Sequence, residues 1–161
     1  MPQRRYARGA TWESVINNAA QRLAQDGRIF WMRNHPPYVW VRAFKDGTIR
    51  ARITGQGAPD YFFLADGFSL LVDAKDCQIP PWRSGLLKPH QAKAFDDFER
   101  QGGHAAVFMR DWERRRWVLP WPVLRPLWYE ARAFTDFHDV GFRWEGDPPF
   151  DFLTPWLRWL S

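Results

Sequence analysis

Residues 59–75, PDYFFLADGFSLLVDAK, contain the strongest fold signal in the chain. Two apolar runs, 61–64 and 68–72, have the length and composition of strands. Between them, Asp66-Gly67 suits the positive-φ positions of a tight hairpin turn. The stretch therefore predicts a hairpin whose second strand is buried, with polar residues at the end away from the turn.

Three polar residues flank this hairpin: Asp60, Asp73 and Lys75. The turn brings Asp60 level with Asp73. Because residues two apart in a strand share a face, Asp73 and Lys75 project together, while Val72 and Ala74 pack on the opposite side. Two carboxylates and an ammonium suit a Mg²⁺ ion beside a phosphodiester. The same residues also fit a turn cap and an ordinary ion pair at a strand end.

The composition is that of a globular chain of one domain. The 161 residues are 45% hydrophobic and 25% charged, which is typical of folded proteins rather than disordered ones. No apolar stretch approaches the roughly 20 residues that span a bilayer. We therefore expect no membrane association and a cytoplasmic location, at the nucleoid or, for a phage-encoded protein, in the host. The single cysteine, Cys77, excludes an internal disulfide and a multi-cysteine zinc site.

The chain is basic, and most of its basic residues are arginines. The formal net charge is +5 and the sequence pI is near 9.8, yet the only lysines are Lys45, Lys75, Lys88 and Lys93. Arginine presents a planar fork of donors that matches phosphate oxygens. A polyanionic partner such as nucleic acid is the natural inference, although genome composition can also favour arginine over lysine.

The remaining segments predict an α/β order around this hairpin. Apolar residues at helical spacing in 11–25 predict a first helix, which Asp26-Gly27 ends. Pro89 suits the first turn of a second helix, which Gly102-Gly103 ends. The other predicted elements are strands at 29–32, 105–109 and 116–119, a helix at 123–132, and a terminal helix with Thr154 as N-cap and Pro155 as N1. Strands between helices, with acidic residues at strand ends, suit a nuclease core.

A second hairpin is predicted before Asp60. The runs 38–44 and 48–53 flank Asp46-Gly47, a strong signal for a two-residue turn. With such a turn, one face of this ribbon is mainly apolar and the other is basic. The predicted cross-strand pairs are Phe44 with Ile49, Arg42 with Ala51 and Trp40 with Ile53, and the basic face carries Lys45, Arg50 and Arg52. An isolated ribbon is marginally stable in water, so we expect it to pack on something.

Several short signatures occur together in an order known from one family. Arg8-Gly9 precedes Glu13 at the opening of the first helix, Asp60-Tyr61 follows a small-residue loop, Asp73-Ala74-Lys75 ends the next strand, and His90-Gln91 opens the second helix. From about residue 8 to residue 109, the chain therefore resembles the RecU-type Holliday junction resolvases of the PD-(D/E)xK nuclease superfamily. The resemblance implies a restriction-endonuclease-like α/β core, in which helices flank a central mixed β-sheet, within one nuclease domain spanning residues 1–161. The ribbon at about 38–54 falls where this family has a stalk that enters the junction centre.

The resemblance also implies roles for these residues. Asp60 and Asp73 would bind the catalytic divalent metal, Mg²⁺ or Mn²⁺, and Glu13 would complete the acidic cluster. Lys75 would assist the attacking water, and Gln91 would support the site. The carbonyl of Ala74 could add a neutral metal ligand. We expect DNA contacts from basic residues near the site and on the ribbon: Arg8, Arg42, Lys45, Arg50, Arg52 and Lys88.

These observations leave three functional hypotheses. The first is a homodimeric, metal-dependent endodeoxyribonuclease that resolves four-way DNA junctions by paired symmetric nicks. The second is another PD-(D/E)xK endonuclease, of restriction or repair type, which acts on duplex DNA and has no need of a projecting basic ribbon. The third is a nucleic-acid-binding module without catalysis. A degenerate site would favour it, whereas Asp60, Asp73 and Lys75 are all present.

Overall fold

The structure, a computed structural model, describes residues 3–53, 55–144 and 151–160; side chains are described for these except in 3–11, 38–40 and 49. Groups of strands lie between the helices along the chain, and a short 3₁₀ helix occurs at Ser84–Leu86. In chain order the elements are α1 Gln3–Gln25, β1 Phe30–Arg33, β2 Tyr38–Ala43, β3 Ile49–Ile53, β4 Tyr61–Ala65, β5 Phe68–Asp76, α2 Pro89–Arg100, β6 His104–Arg110, β7 Arg116–Pro120, α3 Trp121–Tyr129, β8 Phe142–Arg143 and α4 Leu153–Leu160.

A mixed six-stranded sheet forms the centre, in the order β1-β4-β5-β6-β7-β8. Strands β5 and β6 are parallel, and every other neighbouring pair is antiparallel. Helices α1 and α4 cover one face of the sheet, and α2 and α3 cover the other, so two apolar cores lie on opposite sides. The predicted α/β architecture, a mixed sheet flanked by helices with a separate hairpin, is confirmed.

The hairpin of β4 and β5 has the predicted turn and register. Asp66 and Gly67 adopt φ values of +49° and +79°, which fits a type I′ turn. Tyr61 pairs with Val72, and continuing this register places Asp60 opposite Asp73. Strand β4 begins at Tyr61, whereas β5 continues past Val72 beside β6. Asp60, Asp73 and Lys75 therefore lie at this end of the sheet.

The ribbon of β2 and β3 exists, but its predicted register was wrong. Gly47 at φ +84° ends a three-residue loop, 45–47, in which the Gly47 N–H donates to the Phe44 carbonyl at 3.1 Å. A third residue in the loop shifts the pairing, so that Ala43 faces Ile49 and Arg42 faces Arg50. A bulge between residues 40 and 42 shifts it again, and Ala51 therefore pairs with Trp40 rather than with Arg42.

The corrected register gathers the arginines of the ribbon. Arg42, predicted on the apolar face, lies directly opposite Arg50, and its guanidinium carbon sits 5.2 Å from the centre of the Phe44 ring. Because strand residues two apart share a face, Arg52 lies on the same face as Arg50. For the same reason Phe44 lies on the face of Arg42, so it belongs to the basic face rather than to the apolar one. Residue 54, at the predicted end of the stalk, lies outside the described residues.

Three helix starts also differ from the predictions. Helix α3, predicted at 123–132, begins two residues earlier at Trp121 and ends at Tyr129. Helix α1 begins at Gln3 rather than at residue 11, so Glu13 lies in the middle of the helix and not at its opening. The predicted N-cap of α4, Thr154, is inside the helix. The Asp151 carboxylate caps it instead, accepting hydrogen bonds from the Leu153 and Thr154 amides at 2.9 and 3.0 Å. No helix within the described residues is long and apolar enough to cross a bilayer.

Candidate active site

The site begins where Asp60 reaches β5. The Asp60 Oδ2 atom accepts a hydrogen bond from the Ala74 amide at 2.8 Å. The carboxylate thus serves as the acceptor that a backbone carbonyl would supply if the pairing of β4 with β5 continued beyond Tyr61. This bond holds Asp60 beside the strand that carries Asp73 and Lys75. Val72 and Ala74 pack into the core under α1, whereas Asp73 and Lys75 project towards α2, as strand alternation predicts.

Asp73 is a fully buried carboxylate with charged and polar neighbours. Its side chain is 0% exposed. The Oδ1 atom accepts a hydrogen bond from Gln91 Nε2 at 2.5 Å, and Oδ2 lies 2.5 Å from Lys75 Nζ in an ion pair. The Lys75 ammonium thus offsets a negative charge that would otherwise be costly to bury.

The surroundings of Asp73 favour its neutral form when no cation is present. Burial in the protein interior and, after it, the negative charge of Asp60 raise the pKa of Asp73 to about 7, against the opposing effect of the Lys75 ammonium. Perturbed carboxyl groups of this kind are concentrated at functional sites. When both carboxylates are ionised, Asp60 and Asp73 repel each other, and a divalent ion bound between them would reduce this repulsion.

Gln91 organises the other side of the site. It is the third residue of α2, and its Oε1 atom accepts hydrogen bonds from the Lys88 amide at 2.9 Å and from Lys75 Nζ at 3.2 Å. Its Nε2 atom donates to Asp73. One amide side chain thus orients both charged residues of β5 and anchors them to the start of α2. Gln91, which the resemblance predicts to support the site, thus lies beside Asp73 and Lys75.

The residues present fit a hard divalent cation. The site offers carboxylate oxygens from Asp60 and Asp73, which are the ligands that Mg²⁺ and Mn²⁺ prefer. Within the described part of the chain, no group of three or more acidic, histidine or cysteine side chains is close enough to share an ion. A bound ion would therefore keep several water ligands, as Mg²⁺ commonly does.

Glu13 is not gathered into a group of three with Asp60 and Asp73. Its carboxylate forms an ion pair with Arg33 at the end of β1, and both side chains are partly exposed. The backbone carbonyl of Glu13 also lies 3.5 Å from the buried Tyr61 hydroxyl. The predicted acidic cluster is thus a carboxylate pair, with a Glu13–Arg33 ion pair beside it.

The predicted DNA contacts are distributed around the site and the ribbon. Arg8 lies in α1, but its side chain is outside the described side chains. Lys88 is exposed at the N-cap of α2, one turn from Gln91. The four residues of the ribbon are all exposed: Arg42, Lys45, Arg50 and Arg52.

Two residues at the end of β1 were missed by the sequence analysis. Arg33 pairs with Glu13, and Asn34 contacts the segment that carries Asp60. The first strand was predicted to end at Met32, and residues 34–37 were interpreted as a break in the chain. The available signal was position alone: in an antiparallel pair, residues that follow one strand adjoin residues that precede the other.

Comparisons with known proteins find similar chains among the solved structures. No family model matches the chain, and no curated protein matches it. The structure of Hjc from Archaeoglobus fulgidus, described as a Holliday junction resolvase from an archaeal hyperthermophile, is similar with a TM-score of 0.46 and 16% sequence identity. The match covers 71% of this chain and 78% of that chain. A likeness of this size does not decide activity, which has to be inferred from the residues of the site.

Proposed function

We propose that this protein is a metal-dependent endodeoxyribonuclease that resolves four-way DNA junctions, in the manner of the RecU-type resolvases that its sequence resembles. The observation that carries the proposal is the buried carboxylate of Asp73, held by Gln91 and Lys75 and placed opposite Asp60. Burying the Asp73 carboxylate beside the partly exposed carboxylate of Asp60 costs stability, and a purely structural role would not require it.

Each residue has a distinct task in this proposal. Asp60 and Asp73 hold Mg²⁺ or Mn²⁺, and the Ala74 carbonyl is a further candidate ligand; the bound ion supplies an activated water and charge stabilisation at the phosphate. Lys75 orients that water or neutralises charge that develops on the phosphate oxygens. Gln91 fixes the rotamers of both β5 side chains, and Glu13 stays a candidate outer member, paired with Arg33.

The ribbon supports a junction as the substrate. Arg42 and Arg50 face each other across β2 and β3, an arrangement of like charges that is unfavourable unless an anion lies nearby. A phosphate backbone is such an anion. The ribbon also exposes the apolar residues Val41 and Ile53, at 56% and 66%, and a second subunit is the cover we propose. A two-fold homodimer would supply two sites for paired nicks on opposed strands.

The test compares a labelled four-way junction with a linear duplex of matched sequence, in Mg²⁺, Mn²⁺, Ca²⁺ or EDTA. We expect paired symmetric nicks in the junction with Mg²⁺ or Mn²⁺, binding without efficient cleavage in Ca²⁺, and no cleavage in EDTA. Equal cleavage of duplex and junction would identify a duplex endonuclease instead. Binding without cleavage in every metal would favour a non-catalytic module, and robust cleavage in EDTA would remove the metal from the mechanism.

Replacing Arg42, Arg50 and Arg52 together by alanine should weaken junction binding by at least about tenfold at moderate salt, with a smaller effect on duplex. The slope of log affinity against log salt should fall by about 0.9 for each phosphate that the variant no longer neutralises. Both quantities follow from fluorescence anisotropy titrations at several salt concentrations.

A matched control removes three exposed arginines elsewhere: Arg22, Arg100 and Arg132. It loses the same charge but should keep most of its preference for the junction. Equal loss of junction affinity in both triple variants would reject a specific role for the ribbon. A monomer at micromolar concentration in light scattering would reject the dimer.

A further inference from the structure

Asn34 lies in line with the two carboxylates of the site. Strand β1 pairs with β4 so that Arg33 faces Tyr61, and continuing this register places Asn34 opposite Asp60. Continuing the register of β4 with β5 places Asp60 opposite Asp73. The three residues therefore lie in one row across the sheet, at the point where β1 ends and β4 begins.

Two hydrogen bonds join Asn34 to the segment that carries Asp60. The Asn34 side-chain Nδ2 donates to the Pro59 carbonyl at 2.7 Å, and the Asn34 backbone amide donates to the Asp60 carbonyl at 2.7 Å. One residue thus holds two consecutive carbonyl groups. Because these carbonyls belong to the peptide units on either side of the Asp60 Cα atom, the bonds fix the direction in which the Asp60 side chain leaves the backbone.

The described chain just before Asp60 is a loop. Residues 55–58 form no helix or strand and contain Gly55 and Gly57, which lower the cost of backbone movement. Gly57 packs close to Pro36, where an added Cβ atom would lie 3.3 Å from the Pro36 Cα atom. Asn34 provides two polar contacts at the point where this loop becomes the site.

We propose that Asn34 is a positioning residue that fixes Asp60 for metal binding, a role that rests on the proposed function of the site. Asn34 touches neither the metal nor the substrate; it acts through the Pro59 and Asp60 carbonyls. Residues that orient metal ligands commonly change metal affinity by about 10- to 100-fold when they are altered. The side-chain bond to Pro59 is the part of this contact that substitution can remove.

The experiment uses Asn34→Ala and the near-isosteric Asn34→Leu, which both remove the donor and keep the backbone amide. The exposed Asn18→Ala in α1 is the matched control. Mn²⁺ binding is measured directly by calorimetry without DNA, and junction cleavage is measured over a range of Mg²⁺ concentrations. Thermal melting in EDTA and junction binding in Ca²⁺ report on folding and on DNA affinity.

Both Asn34 variants should bind Mn²⁺ about tenfold more weakly or worse and need correspondingly more Mg²⁺ for half-maximal cleavage, with much of the rate restored at saturating metal. Asn18→Ala should match wild type throughout. Wild-type metal affinity in both Asn34 variants overturns the proposal, as does a loss of rate that saturating Mg²⁺ leaves unchanged. If wild type binds Mn²⁺ but cuts no junction, the proposed function fails, and the Mn²⁺ affinities alone still decide the role of Asn34. If wild type binds no metal, both proposals are rejected.

Discussion

Asp73→Asn should lower the rate of junction cleavage by at least about a thousandfold, while junction affinity stays within a few-fold of wild type. The substitution keeps the shape of the side chain but removes the negative charge of a proposed metal ligand that is buried between Gln91 and Lys75. We expect affinity for DNA to come chiefly from arginine contacts with phosphates, which this change would leave in place. Single-turnover cleavage with Mg²⁺ and anisotropy with Ca²⁺ measure the two quantities separately.

The control for this variant is Asp26→Asn, an exposed position at the end of α1. It makes the same chemical change outside the site and should cut at the wild-type rate. Cleavage by Asp73→Asn at the wild-type rate would show that the carboxylate pair is not the catalytic centre. A loss of binding equal to the loss of cleavage would instead give Asp73 a structural role.

The same variant should be more stable than wild type in EDTA at pH 8, by roughly 1–3 kcal/mol. Burial and the neighbouring Asp60 charge raise the pKa of Asp73 from its ordinary value of 3.8 to about 7 in the folded protein. Ionising Asp73 above that pH therefore costs the folded state more than the unfolded state. Asparagine avoids this cost, although its Nδ2 amino group would face the Lys75 ammonium donor against donor and so offset part of the gain.

The sign of the pH dependence follows from this shift. A raised carboxyl pKa favours the folded state fully below pH 3.8, and that contribution is lost as the pH rises towards about 7. The advantage of Asp73→Asn should thus be several degrees in melting temperature at pH 8 and shrink towards pH 5. Mg²⁺ should stabilise wild type more than the variant. A variant less stable than wild type at pH 8 in EDTA would contradict the destabilising charge of Asp73.

The sequence alone predicted those elements in which turn chemistry and strand or helix periodicity agree with the tertiary structure. Asp66-Gly67 determines both the turn and the register of β4 and β5, so the meeting of Asp60 with Asp73 followed from strand periodicity. The position of Gln91 relied on a family resemblance, and the structure places its amide between both charged residues of β5. The helices at both faces were predictable because their apolar spacing is regular.

Other features depend on contacts that periodicity does not encode. Asp46-Gly47 signals a turn but does not distinguish a two-residue loop from a three-residue loop, and one residue was enough to move Arg42 to the other face. The ion pair of Glu13 with Arg33 joins residues from α1 and β1, and its existence depends on how that helix crosses the sheet. The cap of α4 by Asp151 was missed because Thr154-Pro155 offers the more familiar signal.

The hydrogen bond from the Ala74 amide to Asp60 Oδ2 has a spectroscopic consequence. A backbone proton that is bound to a carboxylate responds to any change in that carboxylate's charge or position. The Ala74 amide resonance should therefore act as a single-residue probe in NMR spectra: its chemical shift and its exchange with solvent would follow cation binding at Asp60 without any label attached to the site. Occupancy could then be followed on the DNA-free protein, independently of strand scission.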